Sequence, residues 1–330
     1  MRTPTRIPAR LVAALTVSVM ALTACSTGPG QHNTAVIVDG HAISVDEVQG
    51  ILSKIVRDQP AAKPLAKEHK LDLVSREIVS QLVVHELVTK AAKREGLRVD
   101  PEQLNKEVAK DPLAQEIPTD GSVPPEALAS QLVYRGRDLR DYVSDQLLLT
   151  KLADKYFGKL ITDYRLVPVE KADEAAALAE RVAADPRSAP AEFTKAAGPN
   201  AGQPDPQTGQ VSDPAQPNQA TGADAFLLSA PDNSVLVLPA GQGEQGGGGF
   251  QVVQVLSHEV SDTPQQAGDI DPSQLPTLGR FLLRSYAFDG ELTLNPRYGV
   301  WNALMMNVVP KAEAEVSGMV LTPGSTPSEQ

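Results

Sequence analysis

Five histidines, a single cysteine and one glycine-rich run are the residues whose types could support metal, nucleophilic or phosphate chemistry in this chain of 330 residues. His32, His41, His69, His85 and His258 show neither HExxH nor HxH spacing, so no pair is set to hold a catalytic metal. His85 falls on the helical face between Leu82 and Val88 and reads as a core-edge residue, while His258 follows a strand and reads as solvated. Gly241-Gln242-Gly243-Glu244-Gln245-Gly246 satisfies GxGxxG, but it precedes a strand instead of opening a helix, and Glu244 would repel a pyrophosphate. No GxSxG elbow, phosphate-cradling GxxxxGK[ST] loop or SxxK pair is present. The expectation is a protein with no catalytic residue, no cofactor and no metal.

Cys25 excludes an intrachain disulfide and a CxxC redox pair, and its position gives it another role. Arg2, Arg6 and Arg10 precede an apolar run over residues 11–21, followed by Leu22-Thr23-Ala24-Cys25. This is the layout of a secretory signal peptide over residues 1–24, with an apolar run well short of the ~20 residues a membrane span needs. Its end resembles the bacterial lipobox, which implies that Cys25 becomes a diacylglyceryl thioether and the new amino terminus. Two or more acyl chains, at about 0.8 kcal/mol per buried CH₂, would hold the protein at the outer face of the cell membrane. Residues 25–33 then read as a tether. The formal charge is −11, from 30 basic and 41 acidic residues, and no basic cluster is present. Nucleic-acid binding is thereby disfavoured, because phosphates need Lys and Arg to displace their counterions.

The elements around these residues divide into two kinds. Residues 34–38 are β-type, Asp39-Gly40 is a turn signal, and Ser44 with Glu47 forms a capping box ahead of apolar positions at helical spacing. A long helix is predicted over Leu71 to Arg94, shorter ones over 102–110 and 126–133, and another long amphipathic helix over 137–157. After Gly158 the character changes. Residues 164–169, 234–238 and 250–256 read as strands, 172–184 and 191–197 as helices, and 198–222 as a disordered loop too polar to offset its ordering entropy. A helix over 278–289, a short strand over 291–294 and a polar, disordered tail over 312–330 complete the chain.

The two stretches Ala35 to Val48 (AVIVDGHAISVDEV) and Leu139 to Tyr156 (LRDYVSDQLLLTKLADKY) resemble the amino-terminal chaperone domain of the SurA and PrsA family of extracytoplasmic folding factors. The resemblance implies an α+β, mainly helical fold. A helical chaperone domain (34–160) would be closed by a small strand pair from the two ends of the chain. A parvulin-like α/β domain (161–260) would be inserted in it, and a return segment (261–311) would complete it. Aligned by pattern, the two histidines of a parvulin prolyl isomerase fall at Leu166 and Gln251, which makes the inserted domain degenerate. A chaperone needs instead an apolar, partly exposed cradle. Leu73, Val79, Val83 and Val84 lie beside the main apolar stripe of the long helix and are the candidate client-binding residues. The expected partners are unfolded, newly secreted polypeptides, and the membrane through Cys25. An envelope adaptor binding one folded partner, and an active prolyl isomerase with a rearranged site, stay open at this point.

Overall fold

The computed structural model describes residues 33–156, 158–197, 207–211, 226–240, 249–262, 271–288, 291–314 and 319–323. The signal peptide, Cys25, nearly all of the tether and the Gly241–Gly246 run lie outside the described residues.

Strand β1 (Thr34–Val38) turns back into β2 (His41–Ser44) through Asp39 and Gly40, whose φ angles of 49° and 81° suit a hairpin turn with two left-handed positions. On its other edge β1 pairs antiparallel with β7 (Leu292–Leu294), more than 250 residues later, giving the order β2-β1-β7. Asn295 extends this closure by donating its backbone N–H to Ala35 and its side-chain amide to Thr34. Helix α1 (Val45–Asp58) starts where Ser44 Oγ accepts the Glu47 N–H at 3.1 Å. After α2 (Ala62–Lys67) comes the spine of the unit, α3 (Leu71–Glu95), ended by Gly96 in the left-handed region. Helices α4 (Pro101–Ala109), α5 (Pro125–Gly136) and α6 (Leu139–Tyr156) follow.

Beyond α6 the chain runs into a five-stranded antiparallel sheet of order β10-β5-β6-β3-β4. Its strands are β3 (Leu160–Val169), β4 (Gln207–Val211), β5 (Val235–Ala240), β6 (Gly249–Val260) and β10 (Met319–Leu321). The start of β3 pairs with the end of β6, Leu160 opposite Val260, so the chain enters and leaves this unit at one place, and Ser261 N–H donates to the Lys159 carbonyl at 2.7 Å. Helices α7 (Ala172–Ala184) and α8 (Ala189–Ala197) cover one face. Ala175, Leu178, Val182 and Phe193 pack there with Val167, Val235, Val237 and Val252. On the other face Leu236, Leu238, Val253 and Val255 are covered by Leu227, Leu228 and Ala230 and by Leu304, which arrives from the returning chain.

That return begins with α9 (Leu275–Leu282) and α10 (Arg284–Phe288), a break at Leu283 where one helix was expected. Helix α9 lies almost on the backbone of α6: a Cβ built on Gly279 would sit 2.0 Å from the Leu149 carbonyl oxygen. After β7 a hairpin of β8 (Val300–Asn302) and β9 (Asn307–Val309) packs on α3, where the buried Ser80 Oγ accepts the Val308 N–H at 2.8 Å, and the short α11 (Lys311–Ala314) follows. The architecture is therefore α+β and mainly helical, with a helical unit closed by strands from both ends and an α/β unit inserted between them.

Two segments expected to be disordered carry strands. Within 198–222, residues 207–211 pair along β3, because the edge of β3 offers unpaired N–H and C=O groups that even a polar segment can satisfy. Within the 312–330 tail, Met319–Leu321 pairs with β5, and Val320 and Leu321 are buried. Three apolar residues suffice there because both faces of the sheet are already covered at that edge.

Candidate functional site

The candidate client-binding residues on α3 are placed differently from the sequence expectation. Val79 and Val83 are fully buried, Val84 is 4% exposed, and Leu73 is half-buried against the same core. The reason is the number of neighbours: α1 and α5 pack on α3 from one side, and α6, β9, β1 and α10 from others. A helix enclosed in this way needs apolar residues nearly all round, so its broad stripe is core and not a cradle.

Among the described residues, the large apolar side chain of this unit that is exposed to solvent is Met305, 52% exposed between β8 and β9, and α4 offers partly buried apolar groups. Helix α4 is capped by Asp100, whose carboxylate accepts the N–H groups of Glu102 and Gln103, and Pro101 occupies its first turn, yet none of its residues is buried. It rests against α6 and is pinned there by Arg140 Nη1, which donates to Asn105 Oδ1 at 2.8 Å. Leu104 and Val108, at i and i+4, are half-buried. On α5 and α6, the half-buried rings of Tyr134 and Tyr142 contact at 5.1 Å between centroids. The sequence signal for this surface was weak: one i,i+4 apolar pair on a short capped helix beside a proline-containing loop.

Two polar clusters hold the surrounding helices. Asp145 of α6 is buried. Its Oδ2 accepts from Arg137 Nη2 at 2.9 Å, and its Oδ1 lies 2.7 Å from Nδ1 of His85 on α3. The hydrogen bond to Asp145 raises the His85 pKa above the usual imidazole value, against an opposing effect of burial. At the end of α3, Glu95 receives Lys155 Nζ at 2.7 Å and the hydroxyls of Tyr156 at 2.5 Å and Tyr286 at 2.6 Å. Burial would raise the Glu95 pKa, but the three donors outweigh it and hold the carboxyl at about 2. Lys90, also on α3, bridges the Tyr286 carbonyl and the Asp39 carboxylate, tying the first hairpin to the returning chain. Among the described residues, no group of three or more His, Cys, Asp or Glu is placed to hold a metal ion.

In the α/β unit, Leu166 lies opposite Val253 and Gln251 opposite Pro168, so Leu166 and Gln251 are diagonal neighbours on the sheet face away from α7 and α8. An alkyl group and a carboxamide cannot share or exchange a proton. His258 is not solvated as expected: it lies within β6, its side chain is 18% exposed, and Nδ1 meets Asp232 at 2.6 Å while Nε2 meets the Leu227 carbonyl at 2.9 Å. It clamps the 226–233 segment onto the sheet. A second fastening is Arg284, buried between the rings of Phe226 and Phe281, each 4.6 Å from the guanidinium carbon, with Nε donating to the Leu304 carbonyl. Burial lowers its pKa to about 9. No helix among the described residues is long and apolar enough to cross a membrane.

The family model of the SurA-like N-terminal domain matches residues 1–153, which end within α6. Among solved structures, the chain is similar to the foldase protein PrsA from Streptococcus pneumoniae str. Canada MDR_19A, at 14% identity, covering 76% of this chain and 89% of that one. The TM-score of 0.23 is too low for the overall arrangement to be carried across. No curated protein matches the chain.

Proposed function

We propose, starting from the match of residues 1–153 to the SurA-like N-terminal domain, that this protein is a membrane-anchored extracytoplasmic chaperone for unfolded secreted polypeptides. The observation that carries the reading is α4, a capped helix with no buried residue. Its Leu104 and Val108 are only half-buried, and α5 and α6, the latter packed against α4, carry the half-buried Tyr134 and Tyr142 pair. A surface of a few half-buried apolar and aromatic groups suits weak, reversible binding of unfolded chains. It is too small to collapse on itself, and the net charge of −11 opposes self-association. The anchor is Cys25, whose acyl chains hold the folded units outside the membrane on the tether that follows it.

Light scattering from an aggregating, chemically unfolded client, with and without the chain from Ser26 onward, tests the binding. Suppression at equimolar to fivefold protein is expected. The double substitution Leu104→Asp and Val108→Asp should remove most of it while the helical circular dichroism stays unchanged. Undiminished suppression by that variant would take the client surface away from α4. For the anchor, Cys25→Ser should move the protein from the membrane pellet to the soluble fraction, and retention in the pellet would exclude the thioether.

A further inference from the structure

The strand β10 is unlike the rest of the sheet it completes. The other four strands lie within residues 160–260, between the points where the chain enters and leaves the α/β unit, whereas Met319–Leu321 come from the far end of the chain after the helical unit has closed. They add antiparallel to β5 with Met319 opposite Val237, Val320 opposite Leu236 and Leu321 opposite Val235. Val320 enters the apolar layer with Leu236 and Leu238, and Leu321 enters the layer under α7, so consecutive side chains are buried on opposite faces. We propose that the β5 edge is a binding site for extended polypeptide, and that Met319–Leu321 is the chain's own occupant of it, displaced by a client segment of the same chemistry.

The occupant defines the ligand. An edge strand exposed on one face would select alternating apolar and polar residues, but this edge is covered on both faces and accepts a short continuous apolar run. Such a run is what an unfolded secreted chain exposes and a folded one hides. The seat is short, since three residue pairs hold the strand, and single short strands are exchangeable by local opening. Nine residues separate Met319 from the end of β9 at Val309, so the tethered segment competes at an effective concentration on the order of millimolar. A client segment therefore gains access at high local concentration or when it is also held elsewhere. The inference rests on the chaperone reading above and assigns it a second contact, on the α/β unit.

Hydrogen exchange on the full chain, with and without millimolar synthetic peptide VSGMVLTP (the sequence of residues 316–323), tests this directly. In the free protein, exchange should be faster over 319–321 than over 235–238 and 250–255. Peptide should speed exchange of 319–321 further and leave β5 protected, while a peptide with Asp in place of the Val320 equivalent should do nothing. The variant Val320→Asp in the full chain should bind the labelled peptide at least tenfold more tightly by fluorescence anisotropy. Equal protection of β10 and its neighbours, unmoved by peptide, would make β10 a fixed strand and overturn the proposal. If that result came with intact suppression of client aggregation, the edge site alone would fall. Loss of suppression with a peptide-responsive edge would instead remove the α4 surface.

Discussion

Glu95 gives a stability experiment whose size follows from the geometry. Its carboxylate accepts one ammonium and two phenol donors from α6 and α10, and its pKa falls from 4.5 to about 2. At 1.36 kcal/mol per unit, a fall of that size corresponds to about 3 kcal/mol of stability at neutral pH. The Glu95 side chain is 11% exposed, so solvent screening trims this only modestly, to roughly 2–3 kcal/mol. Because the folded pKa lies below the unfolded one, the contribution is complete above about pH 4.5 and is lost as the pH falls towards 2. Glu95→Gln keeps the shape but replaces one oxygen with a donor facing donors, so it should destabilise the helical unit by about that amount at pH 7. Urea unfolding followed by circular dichroism at pH 7, 4.5 and 3 measures it. The gap between the native chain and the variant should narrow steadily from pH 4.5 to 3. Two curves that run parallel over that range would refute the assignment of the acid sensitivity to Glu95.

Other consequences follow from the same packing. Asp145→Ala leaves the buried Arg137 without its carboxylate and should cost about 3–5 kcal/mol by denaturant unfolding, a loss that would be absent if water replaced the partner. The His85 pKa is raised in the folded state, so its contribution is full below pH 6.5 and disappears as the pH rises through the folded value. His85→Gln should flatten stability against pH on that side of neutrality, and an unchanged slope would assign it elsewhere. Gly279→Ala forces a Cβ against the Leu149 carbonyl and should lower stability by about 1–3 kcal/mol or more, seen as a fall in Tm. Val79→Asp with Val83→Asp places two charges in the core and should abolish the helical circular dichroism, whereas a folded double variant would contradict the burial described here.

Local signals carried much of the fold. The Ser44 N-cap and the Asp39-Gly40 turn are each decided by hydrogen bonds or φ angles within a few residues, and each forms as the sequence indicates. The periodic apolar positions of α3 and α6 located those helices to within two residues. The face a helix hides is a different matter, because it depends on partners distant in sequence. Val79 and Val83 read equally well as core or cradle until α5, α6 and β9 enclose them. The strands at 207–211 and 319–321 were hidden for a related reason. Their stabilisation comes from the open edges of β3 and β5, and composition alone contains no record of an edge. His258 shows the same limit, since both of its hydrogen-bond partners lie 26 or more residues away.

The most direct test of the client surface is photo-crosslinking from position 104 on α4. A photoreactive residue replacing Leu104 should capture a chemically unfolded client and leave the same client uncaptured once it has folded, and a probe at the exposed Glu102 should capture markedly less. Equal capture of folded and unfolded client, or none from position 104, would contradict a chaperone that binds through α4.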